Sequence, residues 1–380
     1  MPGATPRVRD PWLDNSKFWL VTLVVIGHAV VIAFPSEVRE RTYAFIYQFH
    51  MPAFVLVSGY LSRNFRWTRR HLTQVVTRLL VPFAVFEVAM ALFRVHVAET
   101  ADSMEVLSPL WLEPHWPMWF LLVLAMWRLV TPLLLLHWSS VVVAVGLSVL
   151  SGFHQFEYLD LNRFFGMLPF FALGLHLGPR ALDVVKARWT PLLGLPVALG
   201  LWWLTDLDRT LVPDHEWYLF RSSYEVMGHS LDEGSVQRLV VLLIGLVGTA
   251  AFLSLVPRRR SLATAMGAAS MVVYLFHGFP VQWAKGQEWR EYLPEGENSS
   301  LLVVIACCVL LSAFLALPLV ARPLGLLADP VETFQLVRRR LARPGEGPAA
   351  PASEKAPSGA SGGAASEQSP PDELRERTHV

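Results

Sequence analysis

One apolar run constrains the fold before any other feature. Phe18-Trp19-Leu20-Val21-Thr22-Leu23-Val24-Val25-Ile26-Gly27-His28-Ala29-Val30-Val31-Ile32-Ala33-Phe34 holds a single ionisable residue, His28, at its centre. Lys17 stands at its leading edge, with ten residues between it and the histidine. About 20 mostly apolar residues cross a bilayer core, and shorter spans are possible. The run therefore reads as a membrane span. An ionisable group at mid-span costs roughly 2–3 kcal/mol on insertion scales unless water or a partner meets it. His28 is thus either a functional residue or a neutral histidine hydrogen-bonded between helices, and the run alone does not choose.

The same reading finds nine more spans, near 42–62, 79–97, 116–136, 140–153, 164–178, 191–204, 236–256, 262–282 and 299–321. Only 17% of the chain is charged, against about 25% in soluble domains. The expected fold class is an all-α integral membrane protein with about ten transmembrane helices, whose first partner is the lipid bilayer. No cleavable leader pattern precedes the first run. Loops on one side of this arrangement carry 18 Lys and Arg, and those on the other carry 7. The positive-inside rule then places both termini in the cytoplasm and the chain, as a multi-pass protein, in the cell membrane. Residues 1–17 read as a cytoplasmic N-terminal segment, 18–325 as the membrane domain and 326–341 as a juxtamembrane segment. The Pro-, Gly-, Ala- and Ser-rich stretch 342–380 reads as a disordered cytoplasmic tail, because it cannot build a core. The outer loop 205–235 is either part of an acceptor mouth or a solvated connector. No basic block with interleaved aromatics offers a nucleic-acid surface. Cys307 and Cys308 are adjacent in an apolar run and read as packing residues.

Depth brings polar residues together. At 1.5 Å per residue, His28 lies roughly 15 Å from the cytoplasmic start of its span. His50 lies roughly 12 Å below the outer face in the next span, at nearly the same level. Two histidines at one depth on neighbouring helices suggest a shared cavity. Ser58 lies two turns further on the same face. Glu87 and Arg128 also share a depth, and a structural ion pair is the simplest reason for both. Arg163 and His277 fall in the outer part of their spans, and Trp119 begins its span at the outer interface.

Several chemistries are absent. There is no Gly-x-Ser-x-Gly elbow, no phosphate-cradling glycine loop and no His-Glu-x-x-His. The histidines lack metal-ligand spacing, so no metal is expected. A histidine facing a polar cavity suits a general base, since its unperturbed pKa is near 6.5.

The segment Leu13-Asp14-Asn15-Ser16-Lys17 through Gly27-His28 resembles the opening of the integral membrane acyltransferase-3 superfamily, whose signature is Arg or Lys, ten residues, then His. Phe49-His50-Met51-Pro52-Ala53-Phe54 with Ser58-Gly59-Tyr60 is similar to the second span of its fucose 4-O-acetylase-like branch. Arg78-Leu79-Leu80-Val81-Pro82, Pro117-Met118-Trp119-Phe120-Leu121, the stretch from Arg163 to Gly174 and Ser270-Met271-Val272-Val273-Tyr274-Leu275-Phe276-His277-Gly278 resemble later segments. The resemblance covers roughly 12–325. Many relatives carry Arg-x-x-Arg before the third span. Here Arg78 matches the second arginine and Val75 stands at the first, where nearby Arg69, Arg70 or His71 could supply the charge.

This resemblance implies transfer of an acyl group, commonly acetyl, from cytoplasmic acyl-CoA to a hydroxyl of a carbohydrate or lipid-linked glycan. Acetyl-CoA or another acyl-CoA is then a donor substrate, with no tightly bound cofactor. It implies His28 and His50 as catalytic groups. Lys17, Ser58, Arg69, Arg70 and Arg78 fall to donor binding, and Trp119, Arg163 and His277 to acceptor binding. A proton-coupled secondary transporter of a sugar or glycoconjugate is the competing reading, since midplane histidines and a Glu–Arg pair would fit one.

Overall fold

The structure is a computed structural model, and it describes residues 10–101, 112, 114, 117–206, 214–329, 331, 333, 334 and 338. The N-terminal segment before residue 10 and the expected tail 342–380 lie outside the described residues. Every regular element among the described residues is a helix. Besides short 3-10 turns such as His215–Leu219 and Trp289–Tyr292, they are in chain order α1 (Pro11–Ala29), α2 (Glu37–Ser62), α3 (Arg69–His96), α4 (Trp119–Leu134), α5 (Ser140–Ser151), α6 (Leu161–His176), α7 (Pro179–Val185), α8 (Thr190–Leu204), α9 (Leu231–Leu255), α10 (Leu262–Gly286), α11 (Glu297–Ala316) and α12 (Pro318–Ala328).

Each of the ten expected spans falls on a helix. Six of these helices are long and apolar enough to cross a membrane: α1 with its short continuation, α2, α3, α9, α10 and α11. The other four are shorter, with 16 residues in α4, 12 in α5, 16 in α6 and 15 in α8. At 1.5 Å per residue they reach only about 18–24 Å. The last expected span is broken. α11 ends at Ala316 and α12 starts at Pro318, which has no N–H to continue the ladder.

Caps and prolines set the ends of the first three helices. Asp10 accepts a hydrogen bond from Trp12 N, and Pro11 occupies the first turn, so α1 starts ahead of the apolar run. Residues 11–17, expected outside the span, are therefore helical, with Trp12, Asp14, Asn15 and Ser16 buried. Asn15 locks this turn to the α9–α10 connection. Its Nδ2 donates to Pro257 O at 2.7 Å and Arg259 O at 3.0 Å, and its Oδ1 accepts from Ser261 and Thr264. In α3 the stretch Val76–Leu80 widens to π geometry. Pro82 cannot donate to the Arg78 carbonyl, and the wider turn accommodates that missing bond.

Close packing of α2 on α6 positions the centre of the bundle. A Cβ on Gly59 would stand 2.2 Å from Phe171 O, and one on Gly174 would stand 2.1 Å from Leu56 O. Only glycine permits both approaches. Beyond α8, the described part of the 205–235 loop is not a solvated connector. Trp217, Tyr218, Phe220 and Tyr224 are buried, and Arg238 of α9 places its guanidinium 4.7 Å from the Phe220 ring and 5.9 and 5.7 Å from those of Trp217 and Tyr224. This cation–π cage fastens the loop over the α2–α6 centre.

Candidate active site

Two small cavities lie end to end between α1, α2, α4 and α10. The first, about 120 Å³, begins at Lys17 and is lined by Ser58, Ser270 and a mostly apolar wall that includes Leu20, Phe54 and Met271. The second, about 50 Å³, is lined by His28, Tyr47, His50, Trp119, Arg163 and Tyr218. Phe120 and Tyr274 belong to both linings, so their rings form the partition. A larger apolar groove of about 430 Å³ between Trp19, Phe45, Phe49 and Phe252 contains none of the candidate residues.

The second cavity collects His28, His50, Trp119 and Arg163, four residues that the sequence places on four different helices. His50 is buried, with Nδ1 2.8 Å from Ile46 O. A carbonyl only accepts, so Nδ1 carries the hydrogen and the neutral ring keeps its lone pair on Nε2. Arg163 is held from three directions. It pairs with Asp160, donates from Nε to Leu219 O at 3.3 Å and lies 4.7 Å from the Trp119 ring. Leu159 and Asp160 both have left-handed backbones, φ 61° and 52°. Such strain in non-glycine residues persists only where its surroundings enforce it, and here it sits beside the arginine. Burial lifts the Asp160 carboxyl above its ordinary range, and the Arg163 charge opposes that lift.

His277 does not line the cavity. It is wholly buried behind His28, with Nε2 2.9 Å from His28 Nδ1. Lys17 and Ser58 line the first cavity, and Lys17 forms a 2.6 Å ion pair with the buried Asp14. Arg69, Arg70 and Arg78 line neither cavity. All three are exposed along α3, and Arg78 Nε is 4.0 Å from Asp329.

The expected Glu87–Arg128 ion pair is not formed. Glu87 is fully buried in α3, and no ion pair joins it to Arg128 of α4. Equal depth did not bring them together, because depth along two helices says nothing about which faces meet. Arg128 also sits lower than expected: α4 ends at Leu134, which leaves it about 9 Å from that end, level with Arg78.

Sequence reasoning passed over Tyr47, Asp160, Phe120, Tyr218 and Tyr274. Phe120 and Tyr274 lay inside recognised segments without a role. Asp160 precedes Arg163 by three residues, a spacing that puts the two side chains together at a helix start. Tyr218 comes from a loop with no periodicity to place it. Among the described residues, no group of three or more His, Cys, Asp and Glu is placed to hold a metal.

A family model described as an acyltransferase domain matches residues 10–319. That span takes in α1 to α11 and every residue of both cavities. The chain belongs to the acyltransferase-3 family. Searches among curated proteins and among solved structures find no match. Family membership makes the chain a membrane-embedded acyltransferase.

Proposed function

We propose that this acyltransferase moves an acetyl group from cytoplasmic acetyl-CoA to a hydroxyl of a carbohydrate or glycolipid acceptor, with His28 as general base. The observation that carries the reading is the pair of cavities meeting at Phe120 and Tyr274. One begins at a cation and the other holds the imidazoles, so a thioester and a hydroxyl can approach His28 from opposite sides.

In this reading Lys17 meets the polyanionic donor at the mouth of the first cavity, and the exposed Arg69, Arg70 and Arg78 attract it from the rim. Ser58 and the apolar wall receive the thioester arm. The acceptor enters past Trp119, Arg163 and Tyr218, and His50 accepts a hydrogen bond from one of its hydroxyls. His28 takes the proton of the reacting hydroxyl as its oxygen attacks the thioester carbonyl. The C–S bond then breaks, and the proton passes from His28 to the departing thiolate. An ester and free CoA thiol leave, with protons in balance. The resemblance of the second-span segment 49–60 to the fucose 4-O-acetylase-like branch is what favours a sugar hydroxyl in this reading.

Purified protein supplied with acetyl-CoA and a panel of glycosides tests this. Release of CoA thiol that depends on glycoside, with an acetylated product, is expected. Solute accumulation in vesicles without thioester consumption would overturn it and restore the transporter reading.

A further inference from the structure

We propose that His277 is a positioning residue that holds His28 in its Nδ1–H tautomer, so that the lone pair on His28 Nε2 meets the acceptor hydroxyl. This rests on the general-base reading of His28 and adds the group that makes the base competent.

The hydrogen-bond chain fixes the direction of each proton. His277 Nδ1 lies 2.7 Å from Tyr274 O and 3.2 Å from Val273 O. Carbonyl oxygens only accept, so Nδ1 carries a hydrogen. A neutral His277 then has its lone pair on Nε2, the atom 2.9 Å from His28 Nδ1. One hydrogen must lie between those two nitrogens. Placing it on His277 would make that ring a cation at 0% exposure, a charged form that burial disfavours. It therefore belongs to His28 Nδ1, and the basic lone pair of His28 is on Nε2.

Ring geometry agrees with a directed bond. The ring centroids are 5.2 Å apart and the planes differ by 19°. With the nitrogens 2.9 Å apart, both sit close to the line joining the centroids. The rings thus meet edge to edge and nearly coplanar, which aligns an N–H with an in-plane lone pair. A face-to-face stack would not bring the nitrogens between the centroids.

The chemistry follows from that alignment. When His28 takes a proton at Nε2, its Nδ1–H remains bonded to His277, and the new charge is met by an acceptor already in place. Tyr274 supplies both the carbonyl that anchors His277 and a ring of the partition between the cavities. The base is therefore oriented by the same turn of α10 that separates donor from acceptor. In the serine-protease triad, leaving the base in the wrong tautomer costs about 10⁴ in kcat.

Two amide variants separate this role from packing. In His277→Gln the side-chain oxygen reaches the position of Nε2 and can still accept from His28. In His277→Asn the amide stops near the position of Nδ1, keeps the backbone anchor and cannot reach. The expected result is kcat within about tenfold of wild type for Gln and a loss of about 10²–10⁴ for Asn, with the KM for acetyl-CoA unchanged in both. Nitrogen-15 spectra of histidine-labelled protein, with the His28 signals assigned against His28→Asn, give a readout independent of turnover. His28 should be Nδ1-protonated in wild type and in His277→Gln, and should lose that preference in His277→Asn. Equal kcat for Asn and Gln, or an unchanged His28 tautomer in His277→Asn, would overturn the proposal. If His28→Asn itself kept wild-type turnover, the general-base reading would fail while the spectra still judged the His277 contact.

Discussion

Phe120 and Tyr274 stand edge to face, with ring centroids 5.9 Å apart, and each lines both the Lys17 cavity and the His28 cavity. The Tyr274 hydroxyl donates to Pro117 O at 2.6 Å, which ties that ring to the turn before α4. Phe120 has no such tether, so it is the side of the partition that a substitution can reshape.

Phe120→Leu should therefore widen the acyl site without releasing Tyr274. One methylene in an apolar pocket is worth about 1–3 kcal/mol in discrimination. The ratio of kcat/KM for butyryl-CoA over acetyl-CoA should rise by about tenfold or more. An unchanged ratio in a thiol-release assay would remove Phe120 from the acyl site.

Lys17 and Arg78 should differ in how they affect the donor. Lys17 lines the first cavity, whereas Arg78 is exposed on α3 near Asp329. Lys17→Met should weaken acetyl-CoA binding by about tenfold or more, as expected for a charge-assisted hydrogen bond of roughly 1.5–3 kcal/mol. Arg78→Ala should also weaken it, by an effect that shrinks as salt rises, since exposed charges are screened. Isothermal titration at low and high salt checks both, and equal salt dependence for the two variants would contradict the assignment.

The contrast between His28 and Arg128 shows what the sequence could and could not reveal. Apolar runs fixed the helices and their depth, which is why His28 and His50 were correctly expected in one cavity. Depth is a one-dimensional coordinate, however. Azimuth depends on prolines, π turns and glycine contacts such as Gly59 with Phe171, and these separated Glu87 from Arg128. His277 was legible as a special residue but not as a neighbour of His28, because α1 and α10 lie far apart in sequence. Tyr218 had no signal at all: long-range contacts such as the Arg238 cage and the bond from the Tyr224 hydroxyl to Val149 O bring its loop over the site.

That separation has a measurable consequence. A double-mutant cycle on Glu87→Gln and Arg128→Gln, read as folded yield and thermal midpoint in detergent, should be additive within about 0.5 kcal/mol. Glu87→Gln alone should be the more damaging, since that carboxylate is wholly buried. A coupling above about 1 kcal/mol would restore the direct pair.

Orientation is tested by labelling. In a background without Cys307 and Cys308, a cysteine at Val226, which is 64% exposed, should react with an impermeant maleimide on intact cells. One at the exposed Arg260 should react only after lysis. The reverse pattern would invert the bundle and put the Lys17 cavity on the outer face.

The base itself gives the sharpest test. His28 lines the second cavity and is oriented by His277, while the neighbouring α1 residues Val24, Val25 and Ile26 are buried in apolar packing. Removing the imidazole from a cavity wall should therefore leave α1 in place, so His28→Ala should insert and fold. The proposed donor contacts lie in the other cavity, beyond Phe120 and Tyr274, so acetyl-CoA affinity should stay near wild type. His50 has a different task in the proposed reading: anchored through Nδ1 to Ile46 O, it accepts from another acceptor hydroxyl. Loss of general-base help is worth about 10²–10⁴ in rate. The expected signature is a fall in kcat of that size at normal donor affinity. Turnover above about a tenth of wild type would lie outside that range and return His28 to a structural role.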